Sequence, residues 1–104
     1  METPLENKIE ISQSGEQITL SVSGCFGARF HTDFADIYQN KPKGCRYLLD
    51  FTHVSHVDSG GIGMLLLLRE YLGNQPNAIQ IRHCQPQVLE ILLSSRMDTL
   101  ISIS

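Results

Sequence analysis

Basic residues are scarce and scattered in this chain. Eight Lys and Arg stand against eleven Asp and Glu in 104 residues, giving a formal net charge of −3. A nucleic-acid surface needs clustered cations, and no cluster forms here. Long apolar runs are missing as well. The longest uninterrupted one, Met64–Leu68, is far too short to span a bilayer, so no direct membrane insertion is expected. The opening residues Met1–Glu6 show neither the basic stretch nor the apolar segment of a signal peptide. The three cysteines, Cys25, Cys45 and Cys84, are an odd number without a CxxC pair. Together these absences predict reduced thiols in a cytoplasmic protein. There is no internal repeat and no low-complexity segment.

What is present is enough for one core. Apolar residues make up 41% and charged residues 18%, which predicts one folded domain over 1–104, with a loose arm at 1–7. Ile9–Ser12 and Ile18–Ser23 alternate at period two around Ser14-Gly15-Glu16, the pattern of a β-hairpin that Gly24 ends. Phe30, Phe34 and Ile37–Tyr38 recur at helical spacing until Lys41-Pro42-Lys43-Gly44 stops them. Arg46–Phe51 reads as a buried strand and Thr52–Val57 as a short polar connection. A leucine-rich helix follows over about 59–72, stopped by Gly73-Asn74-Gln75-Pro76. Ala78–Arg82 is a strand, Pro86 opens a last helix, and Asp98–Ser104 ends the chain with an alternating strand. The order ββαβαβαβ predicts a mixed α/β fold with a mostly parallel sheet and an antiparallel edge from the hairpin.

The most informative segment is Asp58-Ser59-Gly60-Gly61-Ile62-Gly63, where a strand hands over to the leucine-rich helix. On the turn alone, Asp58 and Ser59 read as a helix cap, because their oxygens accept first-turn N–H groups. Three glycines in four positions point further. Each costs about 1 kcal/mol in a helix interior, so clustering them suggests a close approach to the backbone. The first turn also offers unpaired amides and the positive end of the helix dipole to an anion. At about 100° per residue, Ser59, Gly63 and Glu70 fall within about 40° of each other and form a narrow polar edge. The rest of the helix is almost wholly apolar, more than one sheet face can cover. Ile62, Leu65, Leu66 and Leu72 form one ridge; Met64, Leu67, Leu68 and Tyr71 form a second, which either a neighbouring helix or a partner covers.

Other chemistries fit less well. No lysine completes a Walker pattern, and the turn does not match G-x-G-x-x-G, so nucleotide binding is a minor reading. The turn is V-D-S-G-G, not the hydrolase elbow G-x-S-x-G. His53, His56 and His83 have no spacing that makes one of them a base for Ser59, and with Cys84 they match no zinc motif. The expectation is a non-enzyme with no cofactor or metal.

These residues resemble the signature of STAS domains, the anti-anti-sigma factors. Leu49-Asp50-Phe51 followed by Val57-Asp58-Ser59-Gly60-Gly61-Ile62-Gly63-Met64-Leu65 is similar to the family pattern of a strand ending near Asp, a polar stretch, then Asp-Ser-Ser/Thr-Gly-apolar-Gly. Gly24, Ile79–Cys84 and 86–103 extend the likeness along the chain. The resemblance implies a STAS-like fold with helices mainly on one face of the sheet. It also implies an anti-sigma factor antagonist in a partner switch. In such a switch an anti-sigma factor that is also an ATP-dependent serine kinase binds the unphosphorylated form. Phosphorylation at the position of Ser59 releases it, and a serine phosphatase resets the switch; ATP is used by the kinase. Asp58, Ser59, Gly60, Gly61, Gly63, Met64, Leu67 and Tyr71 are the expected partner-binding residues, with Met64, Leu67 and Tyr71 as the exposed apolar contact. Two departures stand out. Gly60 replaces a second Ser or Thr, and Gly24-Cys25-Phe26-Gly27-Ala28 lacks the acidic stretch common in the family near this turn. The alternative is a STAS-like accessory subunit that docks on an ABC-type membrane transport system and is not phosphorylated.

Overall fold

The computed structural model describes residues 7–104. The chain runs β1 (Lys8–Ser14), β2 (Gln17–Phe26), a 3-10 turn (Ala28–Phe30), α1 (His31–Gln39), β3 (Arg46–Val57), α2 (Ser59–Tyr71), β4 (Ile79–Arg82), α3 (Pro86–Ser94), a second 3-10 turn (Met97–Thr99) and β5 (Ser102–Ile103). The five strands lie side by side in chain order. β1 pairs antiparallel with β2, and every later neighbour is parallel. Each parallel step moves to the next strand in the same direction, so right-handed crossovers put all three helices on one face.

The register explains why that face is covered. Ile18, Tyr47 and Ile79 lie in one row across β2, β3 and β4, and Leu20, Leu49 and Ile81 in the next. All six are buried. The opposite face carries Thr19, Leu48 and Gln80, then Ser21, Asp50 and Arg82, in the same rows. The period of two thus sorts side chains into a dry face and a polar one. An aromatic cluster fills the space under the helices: Phe26 lies 5.4 Å from Phe34 and 5.3 Å from Phe51, ring centre to ring centre. Tyr38 of α1 meets Tyr71 of α2 at 5.0 Å.

Three expectations change at the ends of elements. Thr52–Val57 is not a connection but the second half of β3. Its polar residues misled the reading because Thr52, His53, Ser55 and His56 face solvent, while Val54 and Val57 keep the strand anchored in the core. Likewise β2 does not stop at Gly24 (φ +87) but continues to Phe26, and β3 bulges opposite it, where Val54 and His56 pair with the consecutive Gly24 and Cys25. The last strand shrinks to Ser102–Ile103, since Met97–Thr99 is a 3-10 turn that buries Met97. The loose arm expected at 1–7 lies, for 1–6, outside the described residues. Asn7 is tied down: its Oδ1 accepts the Cys25 N–H at 2.9 Å. No helix among the described residues is long and apolar enough to cross a membrane.

Candidate functional site

The extra length of β2 and β3 builds the site. Phe26 and Val57 end the two strands side by side, and Asp58 donates its N–H to the Phe26 carbonyl at 3.3 Å. Asp58 is extended (φ −96, ψ 178) and caps α2: its Oδ1 accepts the Gly61 N–H at 2.9 Å and its carbonyl accepts the Ile62 N–H at 3.2 Å. The aspartate therefore does the capping. That leaves the N–H groups of Ser59 and Gly60 without an intramolecular acceptor among the described residues, as helix starts require. Ser59 is the first residue of α2 and is exposed; no side-chain hydrogen bond among the described residues engages its hydroxyl.

Each glycine of the turn has a different surrounding. A Cβ on Gly61 would strike the Phe26 carbonyl oxygen, and one on Gly60 would lie 2.8 Å from the Ala28 nitrogen. A Cβ on Gly27 would strike the Asp58 carboxylate. So the missing side chains of Gly60 and Gly61 make room for the chain's own β2–α1 segment; Gly61 is buried there, while Gly60 stays part-exposed. Gly63 is the opposite case, with nothing within 4 Å of its missing side chain. The segment Gly24–Ala28 does lie against this turn. It brings no acid there, and Arg29 follows it directly. Burial pushes the Cys25 thiol up, the nearby Asp58 charge adds to this, and Arg29 pulls the other way, so one cation stands in the neighbourhood of the cap.

The exposed strip of α2 also differs from the expected ridge. Met64 is 2% exposed and belongs to the core, so it is not part of an apolar contact surface. Tyr71 is half-buried and already engaged: its ring packs against Tyr38 at a tilt of 58°, its hydroxyl donates to the Lys41 carbonyl at 3.4 Å, and Lys43 Nζ lies 4.9 Å from its ring centre. Leu67 is exposed as expected, at 48%, and Leu66 joins it at 41%. Leu66 was available in the sequence, because seven residues at about 100° return it to within about 20° of Ser59. Ser59, Gly63, Leu66, Leu67 and Glu70 thus make one solvent-facing strip, bounded by half-buried Ile62. The α1 side of the helix is closed by Tyr38 and Tyr71 and the sheet side by Leu65 and Leu68.

The other candidates do not converge. His53 and His56 are exposed on β3, and among the described residues no group of three His, Cys, Asp or Glu side chains could hold a metal ion. Asp50 serves the fold: burial raises its pKa, but hydrogen bonds from the Thr52 hydroxyl and N–H, with His83 and His53 nearby, outweigh this and hold it below the usual carboxylate value.

Comparison with known proteins places this geometry. A family model described as "Mlab, STAS domain" matches residues 9–102. A STAS-domain containing protein of Pseudomonas aeruginosa (strain UCBPP-PA14) is 35% identical over 96 residues, covering 89% of this chain and 93% of that one. Among solved structures, an anti-sigma factor antagonist from Mycobacterium paratuberculosis superposes with a TM-score of 0.78 at 15% identity, over 94% of this chain and 85% of its own. The anti-sigma factor antagonist SpoIIAA in its unphosphorylated form gives 0.75 at 16%, over 93% and 88%. Bacillus SpoIIAA in its phosphorylated form gives 0.62 at 14%, over 93% and 91%. The fold is that of the anti-sigma factor antagonists, and the chain belongs to the STAS-domain family.

Proposed function

We propose that this protein is an anti-sigma factor antagonist working as a phosphorylation-controlled partner switch, with Ser59 as the acceptor. The observation that carries the reading is the free Ser59 hydroxyl, exposed at the first position of α2 and continuous with the strip Gly63–Leu66–Leu67. Asp58 already fills the capping role, so Ser59 is not needed to hold the helix. A Bacillus protein of the same fold exists in unphosphorylated and phosphorylated forms, which supports the reading. The partner is an anti-sigma factor that is also a serine kinase and uses ATP; a serine phosphatase reverses the step. This protein is the cytoplasmic binding component and carries no catalytic residue or cofactor of its own.

The switch works by charge. Phosphate adds about −1.5 to −2 at neutral pH. Within the protein, the free Ser59 and Gly60 amides and the helix dipole offset it by about 0.3–1 kcal/mol, while Asp58 and Glu70 oppose it. The fold therefore survives. In the complex the same charge is buried beside Leu66 and Leu67, where an unpaired ion costs several kcal/mol. Phosphorylation blocks docking locally and does not refold the domain.

The test is incubation with the cognate kinase and ATP, followed by mass spectrometry with Ser59→Ala as control. Modification confined to Ser59, with an unchanged backbone spectrum, is the expected result. A protein that no cellular kinase modifies at Ser59 favours the accessory subunit of an ABC-type transport system instead.

A further inference from the structure

β1 is the first strand of the sheet, so its outer side has no neighbouring strand among the described residues. Sheet edges usually carry a bulge, a proline or charged side chains that deter further pairing. β1 has no bulge and no proline, and its two charges, Lys8 and Glu10, lie in its first half and pair with each other. It is a regular seven-residue strand in unbroken register with β2, and its central residue is Ile11, 50% exposed. The hairpin decides which of its amides are free. Gly15 (φ +61) and Glu16 form a two-residue turn that closes the pair Ser14–Gln17. In such a hairpin the closing pair exchanges both hydrogen bonds, and the bonded positions then alternate back along the strand. Lys8, Glu10, Ser12 and Ser14 therefore bond to β2, and the N–H and C=O groups of Ile9, Ile11 and Gln13 point away from the sheet.

We infer that this edge pairs with β1 of a second copy, antiparallel, across a two-fold axis at Ile11. All seven residues then find a counterpart. Ile11 opposes Ile11, Ile9 opposes Gln13, Glu10 opposes Ser12 and Lys8 opposes Ser14. The outward amides of Ile9, Ile11 and Gln13 bond to each other across the axis. Each Glu10 keeps its own counter-ion, since Lys8 Nζ lies 3.4 Å from its Oε1. Neighbouring registers are worse. An axis at Glu10 sets two carboxylates face to face, and an axis at Ser12 leaves Ile11 against Gln13. An axis at Ile9 leaves Ile11 against Asn7, whose carboxamide is committed to the Cys25 N–H.

The charges behind the strand fit the same axis. A groove of about 390 Å³ runs between β1 and α1, with Lys8, Ile9, Ile11, Asp33, Asp36 and Ile37 in its lining. Lys8 at the start of β1 is paired with Glu10, so the two aspartates leave the groove net acidic. Toward the other end, Lys41 Nζ donates to Gln13 Oε1 at 3.2 Å. A two-fold axis reverses the strand, so the acidic groove of each copy meets the Lys41 end of the other, while Ile11 and Ile37 of both copies close over the centre. One strand pair is a small contact, so the dimer forms in a concentration-dependent way.

The experiment is light scattering after size-exclusion chromatography on the full chain, from micromolar to millimolar concentration. The wild type is expected to pass from monomer to dimer over this range. Ile11→Lys, which sets two ammonium groups on the axis, is expected to stay monomeric with an unchanged melting curve. Ile11→Cys is expected to cross-link to itself on mild oxidation, because the Cα spacing of about 5.5 Å in a hydrogen-bonded antiparallel pair suits a disulfide. A wild type that is monomeric at millimolar concentration overturns the inference. So does a dimer that Ile11→Lys leaves intact, or an introduced thiol that couples only to Cys25 or Cys84.

Discussion

The same substitution at two glycines of α2 should move stability in opposite directions. Gly63→Ala places a methyl group in open space, with no atom within 4 Å to resist it. It removes the entropic cost of a helical glycine and should gain about 0.8–1 kcal/mol. For a domain of this size that raises Tm by about 4–8 °C. Gly61→Ala makes the same entropic gain but drives its Cβ into the Phe26 carbonyl, which also accepts the Asp58 N–H at 3.3 Å. Neither atom is the end of a flexible side chain, so the ends of β2 and β3 must shift relative to α2. Overpacking of this kind costs about 1–3 kcal/mol. After the propensity gain the net loss is up to about 2 kcal/mol, a fall in Tm of up to roughly 16 °C. Urea and thermal unfolding followed by circular dichroism read both variants, and equal urea slopes establish that only stability changed. Two variants that rise together would refute the claim that the β2–α1 segment requires glycine at 61. Gly63→Ala carries a second expectation, because its methyl lies on the strip beside Ser59: it should weaken partner binding while strengthening the fold.

Asp58→Ala removes the acceptor of the Gly61 N–H and should cost about 1 kcal/mol in urea unfolding. Leu67→Ala and Leu66→Ala should change stability by less than about 0.5 kcal/mol, being exposed, yet each should weaken partner capture; unchanged capture by both would remove the strip from the interface. The Tyr47 hydroxyl is buried without a hydrogen-bond partner among the described residues, so Tyr47→Phe should raise stability by about 1 kcal/mol, and a clear loss would reveal a partner for that oxygen. Burial raises the Tyr47 and Tyr38 phenols above their usual value of 10.0. The unfolded chain then ionises first, so stability is intact below about pH 10 and falls as pH rises above it, less steeply in Tyr47→Phe. Asp50 behaves in the opposite sense: its lowered pKa contributes stability above the ordinary carboxylate value, and this is lost on acidification.

The order of elements was legible because period-two and helical patterns are strong in Ile18–Ser23, Arg46–Phe51 and the leucine-rich helix. The cap was legible because Asp before a helix has one common use. Two things were not. Thr52–Val57 hid its strand behind exposed polar residues at a bulged edge, and strand pairing with Gly24–Phe26 is a long-range fact that no local window contains. The face of α2 left for a partner was misjudged because a helix wheel gives angles but not neighbours. Met64 looked equivalent to Leu67 until the sheet and α1 took up their positions and buried one of them. Arg29 had no local signal at all, and only the fold brings it toward the cap.

The central claim is that charge on Ser59 decides whether a partner docks on the strip Gly63–Leu66–Leu67. Its most direct test is a pull-down from the native cell extract comparing Ser59→Ala with Ser59→Asp, both confirmed as folded. The account predicts a kinase-like partner retained by Ser59→Ala and lost by Ser59→Asp. Equal capture by the two variants would contradict it.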